Sequence, residues 1–195
     1  TTTLARVSAL ALTGCGSDHN TTHNGGTSTS STSDNEADEM FLAGMVRHHS
    51  QALTMSHLAK DRAASPQVRS LAAKIEAAQG PEIATMEGWL RAWGVGTSAT
   101  SGGMEGVGHG SGGPGMGHGM PGMMSDADMA LLKAATGLAF DELWLKMMTE
   151  HHRGAVDASR TEQAEGTSTE VKALARRIET VQAAEIAQME KLLSS

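Results

Sequence analysis

Apolar residues recur every three or four positions through four long stretches of this chain. That is the period of helices that bury one face, and no stretch alternates with the period of two that marks a strand. A first helix is expected over 34–63, opened by Ser33 and Glu36 as a capping box. A second follows Ser65-Pro66, an N-cap and a proline at the first helical position, and runs to Trp93, where Gly94 stops it. Its buried stripe reads Val68, Leu71, Ile75, Met86, Trp89 or Leu90, and Trp93. Ser125, with Asp126 and Asp128, suits the start of a short helix to about Ala135, interrupted at Gly137. A third long helix is expected over 138–164. Gly166-Thr167-Ser168 then makes a turn, and Ser168 caps a fourth helix over 169–193.

The long helices repeat one pattern. Met45-Val46-Arg47-His48-His49-Ser50-Gln51-Ala52 returns as Met148-Thr149-Glu150-His151-His152-Arg153-Gly154-Ala155, an offset of 103 (151 − 48). Gln79, Glu82, Ile83, Met86 and Glu87 return as Gln182, Glu185, Ile186, Met189 and Glu190. The register holds without a break from Asp38/Asp141 onward, with about 20 identities in about 55 aligned positions. Two like hairpins pair most simply face to face, so the expected fold is all-α, a four-helix bundle of two repeated helical hairpins. Any site in its interior should occur twice or straddle the axis that relates the copies.

The repeated polar residues are those that bind metals. Met45 stands three before His48 and four before His49, spacings that bring side chains to one helix face. Met55 or Ser56 continues that stripe. Adjacent histidines diverge by about 100° on a helix, so one pair need not bind one ion. Glu82 falls inside the apolar stripe of the second helix, where a carboxylate must be paired, and the histidines across the hairpin are the natural partners. Such a contact would fix the histidine tautomer or put Glu82 on the metal directly, and Glu185 should do the same for His151 or His152. Asp38 could be a ligand, a histidine partner or a surface acid, and Asp141 is its counterpart in the second copy. Glu76, Glu87, Glu179 and Glu190 read as a solvated face. Buried His–Glu pairs can also specify bundle register without metal, but a methionine repeated beside them favours an ion. Thioethers select Cu(I) and Ag(I), and imidazole accepts copper in either state. The copies differ: Ala158 replaces Met55, Arg160 replaces His57, and Met147 is extra.

Composition sharpens this reading. Methionine numbers 13 of 195 residues, and many lie outside the helices. Met104, His109, Met116, His118, Met120, Met123 and Met124 stand in a Gly-rich linker that can capture soft ions without a fold. The net charge of −7, with no basic cluster, argues against nucleic acid. The single cysteine forbids an internal disulfide. Cys15 ends Leu12-Thr13-Gly14-Cys15, after an apolar run too short to span a bilayer. The segment resembles a bacterial lipoprotein signal and lipobox, which implies cleavage before Cys15, lipid attachment to its thiol, and an extracytoplasmic, membrane-anchored protein. The expected organisation is a signal peptide (1–14), a Ser/Thr tether with His19 and His23 (15–33), the first hairpin (34–94), the Met/His linker (95–124) and the second hairpin (125–195).

Met45 to Met55 with Gln79-Gly80-Pro81-Glu82-Ile83-Ala84-Thr85-Met86 resembles the bacterial DUF305 family, and so does Phe140-Asp141 with Met148 to Ala155 and Gln182 to Met189. The resemblance covers most of 36–193. It implies a ferritin-like four-helix fold, export and, in some members, copper binding through Met and His. It carries to Met45, His48, His49 and Met55, and to Met148, His151 and His152, while Ala158 departs from the pattern. The expected function is binding or sequestration of copper, as Cu(I), by an exported non-enzyme, with homo-oligomerisation left open. The alternatives are a metal-dependent redox enzyme of ferritin-like fold and a metal-free interaction module.

Overall fold

A computed structural model describes residues 34–95 and 120–194. Cys15, His19, His23, Met104, His109, Met116 and His118 lie outside the described residues. Five helices follow in order: α1 (Glu36–Arg62), α2 (Pro66–Ala92), α3 (Asp126–Ala134), α4 (Gly137–Glu165) and α5 (Thr169–Leu193). No strand occurs among the described residues. The chain is an all-α helical bundle. α1 packs on α2 as one hairpin and α4 on α5 as another, and the hairpins meet along α1 and α4. No described helix is long and apolar enough to cross a membrane.

The helix ends follow local chemistry. Asn35, rather than the expected Ser33, caps α1: its side chain accepts from Asp38 N, and the Asp38 carboxylate accepts from Asn35 N. Asparagine is as good a cap as serine, and Asp38 lies three residues on, where the reciprocal bond is made. Ser65, Ser125 and Ser168 cap α2, α3 and α5 as expected. Gly94 ends α2 with φ +77, a backbone that favours glycine.

Asp38 and Asp141 each tie one hairpin to the turn of the other. Asp141 accepts from Ala64 N at 3.1 Å and Ser65 N at 2.8 Å, in the α1–α2 turn. Asp38 accepts from Thr167 N and Ser168 N, both at 3.1 Å, in the α4–α5 turn. Both are buried. Expected as possible ligands or histidine partners, both carboxylates here accept from turn amides.

The apolar core comes in two clusters. One holds Met55, Ile75, Phe140, Trp144, Met148 and Met189. The other holds Phe41, Leu42, Met45, Met86, Leu174 and Ile178. Between Met45 of the second cluster and Ala52 of the first, α1 carries its two histidines, and α4 does the same between Met148 and Ala155.

Candidate metal centre

All four histidines of the repeated pairs are fully buried, with no solvent exposure of His48, His49, His151 or His152. Adjacent histidines on one helix point different ways, and the two of each pair have different tasks. His48 and His151 point at each other across the α1–α4 seam, ring centroids 3.6 Å apart and planes tilted by 34°. His49 and His152 point back into their own hairpins. His49 Nε2 lies 2.9 Å from Glu82 Oε2, and His152 Nε2 lies 2.8 Å from Glu185 Oε2. These are the carboxylate partners expected from the stripe of the second helix.

The carboxylates fix the tautomers. An ionised carboxylate only accepts, so Nε2 of His49 and of His152 carries the proton and donates it. Nδ1 is then left with a lone pair. In both residues Nδ1 is buried and without a hydrogen-bond partner. A histidine oriented by a carboxylate on one nitrogen, with the other free, is the usual arrangement of a metal-binding imidazole. Arg177 Nε, 3.3 Å from Glu82 Oε1, holds the Glu82 carboxylate from the solvent side.

His48 and His151 are more exceptional. Neither ring nitrogen of either residue has a hydrogen-bond partner. Burial, reinforced by the neighbouring His49 and His152, pushes the His48 pKa down to about 3. Burial, with His48 and the other two histidines, also holds His151 well below the usual value. Burial lowers His152 too, against the opposing pull of Glu185. A buried polar group without a partner costs roughly 1–3 kcal/mol, so this is an expensive way to fill a core. Neutral imidazoles with free lone pairs, kept clear of protons at neutral pH, are the form that ligates a metal.

The thioethers flank these rings. Met45, Met55 and Met148 have no exposure, and Met147 has little. Met55, Met147 and Met148 belong to the first apolar cluster and Met45 to the second, so sulfur stands on both sides of the histidines. Among the described residues, no three His, Cys, Asp or Glu side chains are already arranged to hold an ion. The donors gathered here are imidazoles and thioethers, a combination that suits soft ions.

The end of the linker is part of this centre, which the composition of the segment did not indicate. Gln51 Nε2 donates to Met124 O at 2.8 Å, and Met124 N donates to Gln51 Oε1 at 2.7 Å. Gly122 turns the chain with φ +81. Gly154 stands where the first repeat has Gln51, and a Cβ there would lie 1.8 Å from Pro121 O. Only glycine lets the strap 120–124 lie this close to α4. The Pro121 carbonyl in turn favours protonation of His48, though it makes no hydrogen bond to the ring. Met120 packs on the second cluster and Met124 on the first, so the strap carries a methionine to each.

A 330 Å³ pocket opens between α2 and α5, lined by Gln79, Glu82, Arg177, Gln182 and Glu185. Gln79 and Gln182, also repeated in sequence, are buried there. Neither polar atom of the Gln79 amide has a partner, nor does Gln182 Oε1.

The comparisons bear on both fold and family. A DUF305 protein of Streptomyces coelicolor proposed to be secreted is 34% identical, with a TM-score of 0.68 over 81% of this chain and 91% of that one. A DUF305 fragment from Deinococcus radiodurans is 29% identical, with a TM-score of 0.68 over 83% and 97%. CopM in its Cu(I)-bound form is 25% identical, with a TM-score of 0.63 over 80% and 95%, and it has also been solved with Cu(II) and with silver. No curated protein matches. The family model for the domain of unknown function DUF305 matches residues 38–193, and the chain belongs to that family.

Proposed function

We propose that this protein binds and sequesters copper outside the cytoplasm, holding Cu(I) in the bundle through Met45, His48, His49, Met55, Met148, His151 and His152. One observation carries the reading: four fully buried histidines, with both ring nitrogens of His48 and His151 and Nδ1 of His49 and His152 lacking partners, in a core supplied with thioethers. CopM, solved with Cu(I), Cu(II) and silver, supports it. Glu82 and Glu185 hold His49 and His152 so that Nδ1 is available. The paired rings of His48 and His151 let both hairpins contribute to one centre. The Met and His residues of 101–119 bind further soft ions beside the bundle. Cys15 anchors the protein by lipid, and more than one acyl chain would make that anchorage stable.

Cu(I) competition titration of the chain from Ser17 onward, compared with the same chain lacking 101–119, tests the reading. Tight binding should survive the deletion and vanish on replacing His48 and His49 by alanine in it. Binding lost with the linker would make the bundle a scaffold.

A further inference from the structure

A pocket of about 490 Å³ lies between the N-terminal half of α1 and the C-terminal half of α4. Met40, Phe41, Met120, Pro121 and Ala158 line it, with Glu36, Asp157, Glu162 and Glu165 around them and no lysine or arginine. Arg160 reaches Asp157 only at 3.7 Å, on the exposed rim. Met40 is 64% exposed, although it is a large apolar side chain. Glu162 is 2% exposed, and neither of its oxygens receives a hydrogen bond.

Met120 connects this pocket to the histidines. Its Cγ and Sδ would each stand 2.9 Å from a Cβ on Gly44, so the thioether lies directly on α1. Gly44 precedes Met45 and sits one helical turn before His48. The next residue, Pro121, lies against Gly154 beside His151 and His152 on α4. Ala158, which stands where the first repeat has Met55, lines the same pocket. Met120 and Ala158 both pack against the second apolar cluster.

We propose that this pocket is the port through which a soft monovalent ion reaches the buried histidines, with Met40 at its mouth and Met120 as its inner thioether in place of the one absent at Ala158. The proposal rests on the copper-binding reading above. The carboxylates of Glu36, Asp157 and Glu165 concentrate the cation, and such steering weakens with salt. Met40 and Met120 then offer two sulfur ligands in succession, and each transfer exchanges one thioether for another without leaving the ion bare. Pro121, which also lines the pocket, lies beside His48 at its inner side.

The test is the rate at which the full chain takes Cu(I) from its coloured bicinchoninate complex, followed by stopped flow, with thermal melts to confirm each variant is folded. Met120→Leu and Met40→Leu keep bulk and remove sulfur. Each should slow loading about tenfold or more. Met104→Leu/Met116→Leu, in the linker, serves as the comparison and should slow it far less. Glu36→Gln/Asp157→Asn/Glu165→Gln should flatten the dependence of the rate on ionic strength. A wild-type rate in Met120→Leu, or equal slowing in the linker variant, overturns the port while leaving copper binding in place. No uptake by the wild-type chain would instead overturn the copper reading itself.

Discussion

Replacing His48 and His151 together by leucine should stabilise the metal-free chain. Each ring has both nitrogens buried without partners, and each such ring costs roughly 1–3 kcal/mol. Two rings therefore give about 2–6 kcal/mol to recover. Against this stand the ring–ring contact at 3.6 Å, worth about 0.5–1.5 kcal/mol, and imperfect packing of leucine, about 1 kcal/mol. The balance runs from about zero to a gain of about 4 kcal/mol, or up to roughly 8–16 °C in Tm for a domain of this size. Thermal unfolding by circular dichroism, in a chelator and at pH 7.5, reads it directly. Silver, which does not change oxidation state, then stands in for Cu(I). At a free concentration 100-fold above its Kd, a ligand of the native state adds about 2.7 kcal/mol, which wild type should show and the variant should lose. Destabilisation of the metal-free variant by more than about 1 kcal/mol, with an unchanged silver shift, would refute the reasoning. It would mean that the ring pair stabilises the bundle and that the ion binds elsewhere.

Three further outcomes follow from the geometry. Glu82→Gln with Glu185→Gln should leave the bundle folded but weaken Cu(I) binding about 10–100-fold in competition titration, because an amide no longer imposes the tautomer that frees Nδ1. Gly154→Ala should destabilise the chain by about 1–3 kcal/mol in urea unfolding, since its Cβ meets the Pro121 backbone, whereas Gly44→Ala should cost less because it meets the movable Met120 side chain. Glu162 is pushed up to about 8 by burial, and then by the adjoining Asp38 carboxylate. Between its ordinary value of 4.5 and 8 the folded chain holds one more proton than the unfolded one, so stability is full below 4.5, falls as pH rises to 8 and is level above. Glu162→Gln should remove about 1–3 kcal/mol of that slope, measured by urea unfolding between pH 5 and 9.

Much of the fold was legible because the signals were local. Ser65-Pro66, Gly94 and Ser168 each act within a turn of their own position, and they mark the ends of α2 and the start of α5. The His49–Glu82 and His152–Glu185 pairs were legible because an acid inside an apolar stripe has few partners other than the facing histidine. The second task of Asp38 and Asp141 was not, because a carboxylate on a helix face gives no sign that it will meet the turn of another hairpin 129 (167 − 38) or 77 (141 − 64) residues away. The strap was hidden for a similar reason. Met120-Pro121-Gly122 has the composition of a loose linker, and what seats it lies elsewhere: Gln51, Gly44 and Gly154. The exchange of Gln51 for Gly154 between the repeats is the one sequence signal that bears on it. A glycine inside a helix where the other copy has glutamine marks a close approach by backbone.

The most direct measurement of the central claim is an anomalous-difference map at the copper edge, from crystals of the chain loaded with Cu(I) under reducing conditions. Density is expected within the bundle, among His48, His151 and the flanking methionines Met45, Met55 and Met148. Density confined to surface methionines, or an interior without copper in a loaded crystal, would contradict it.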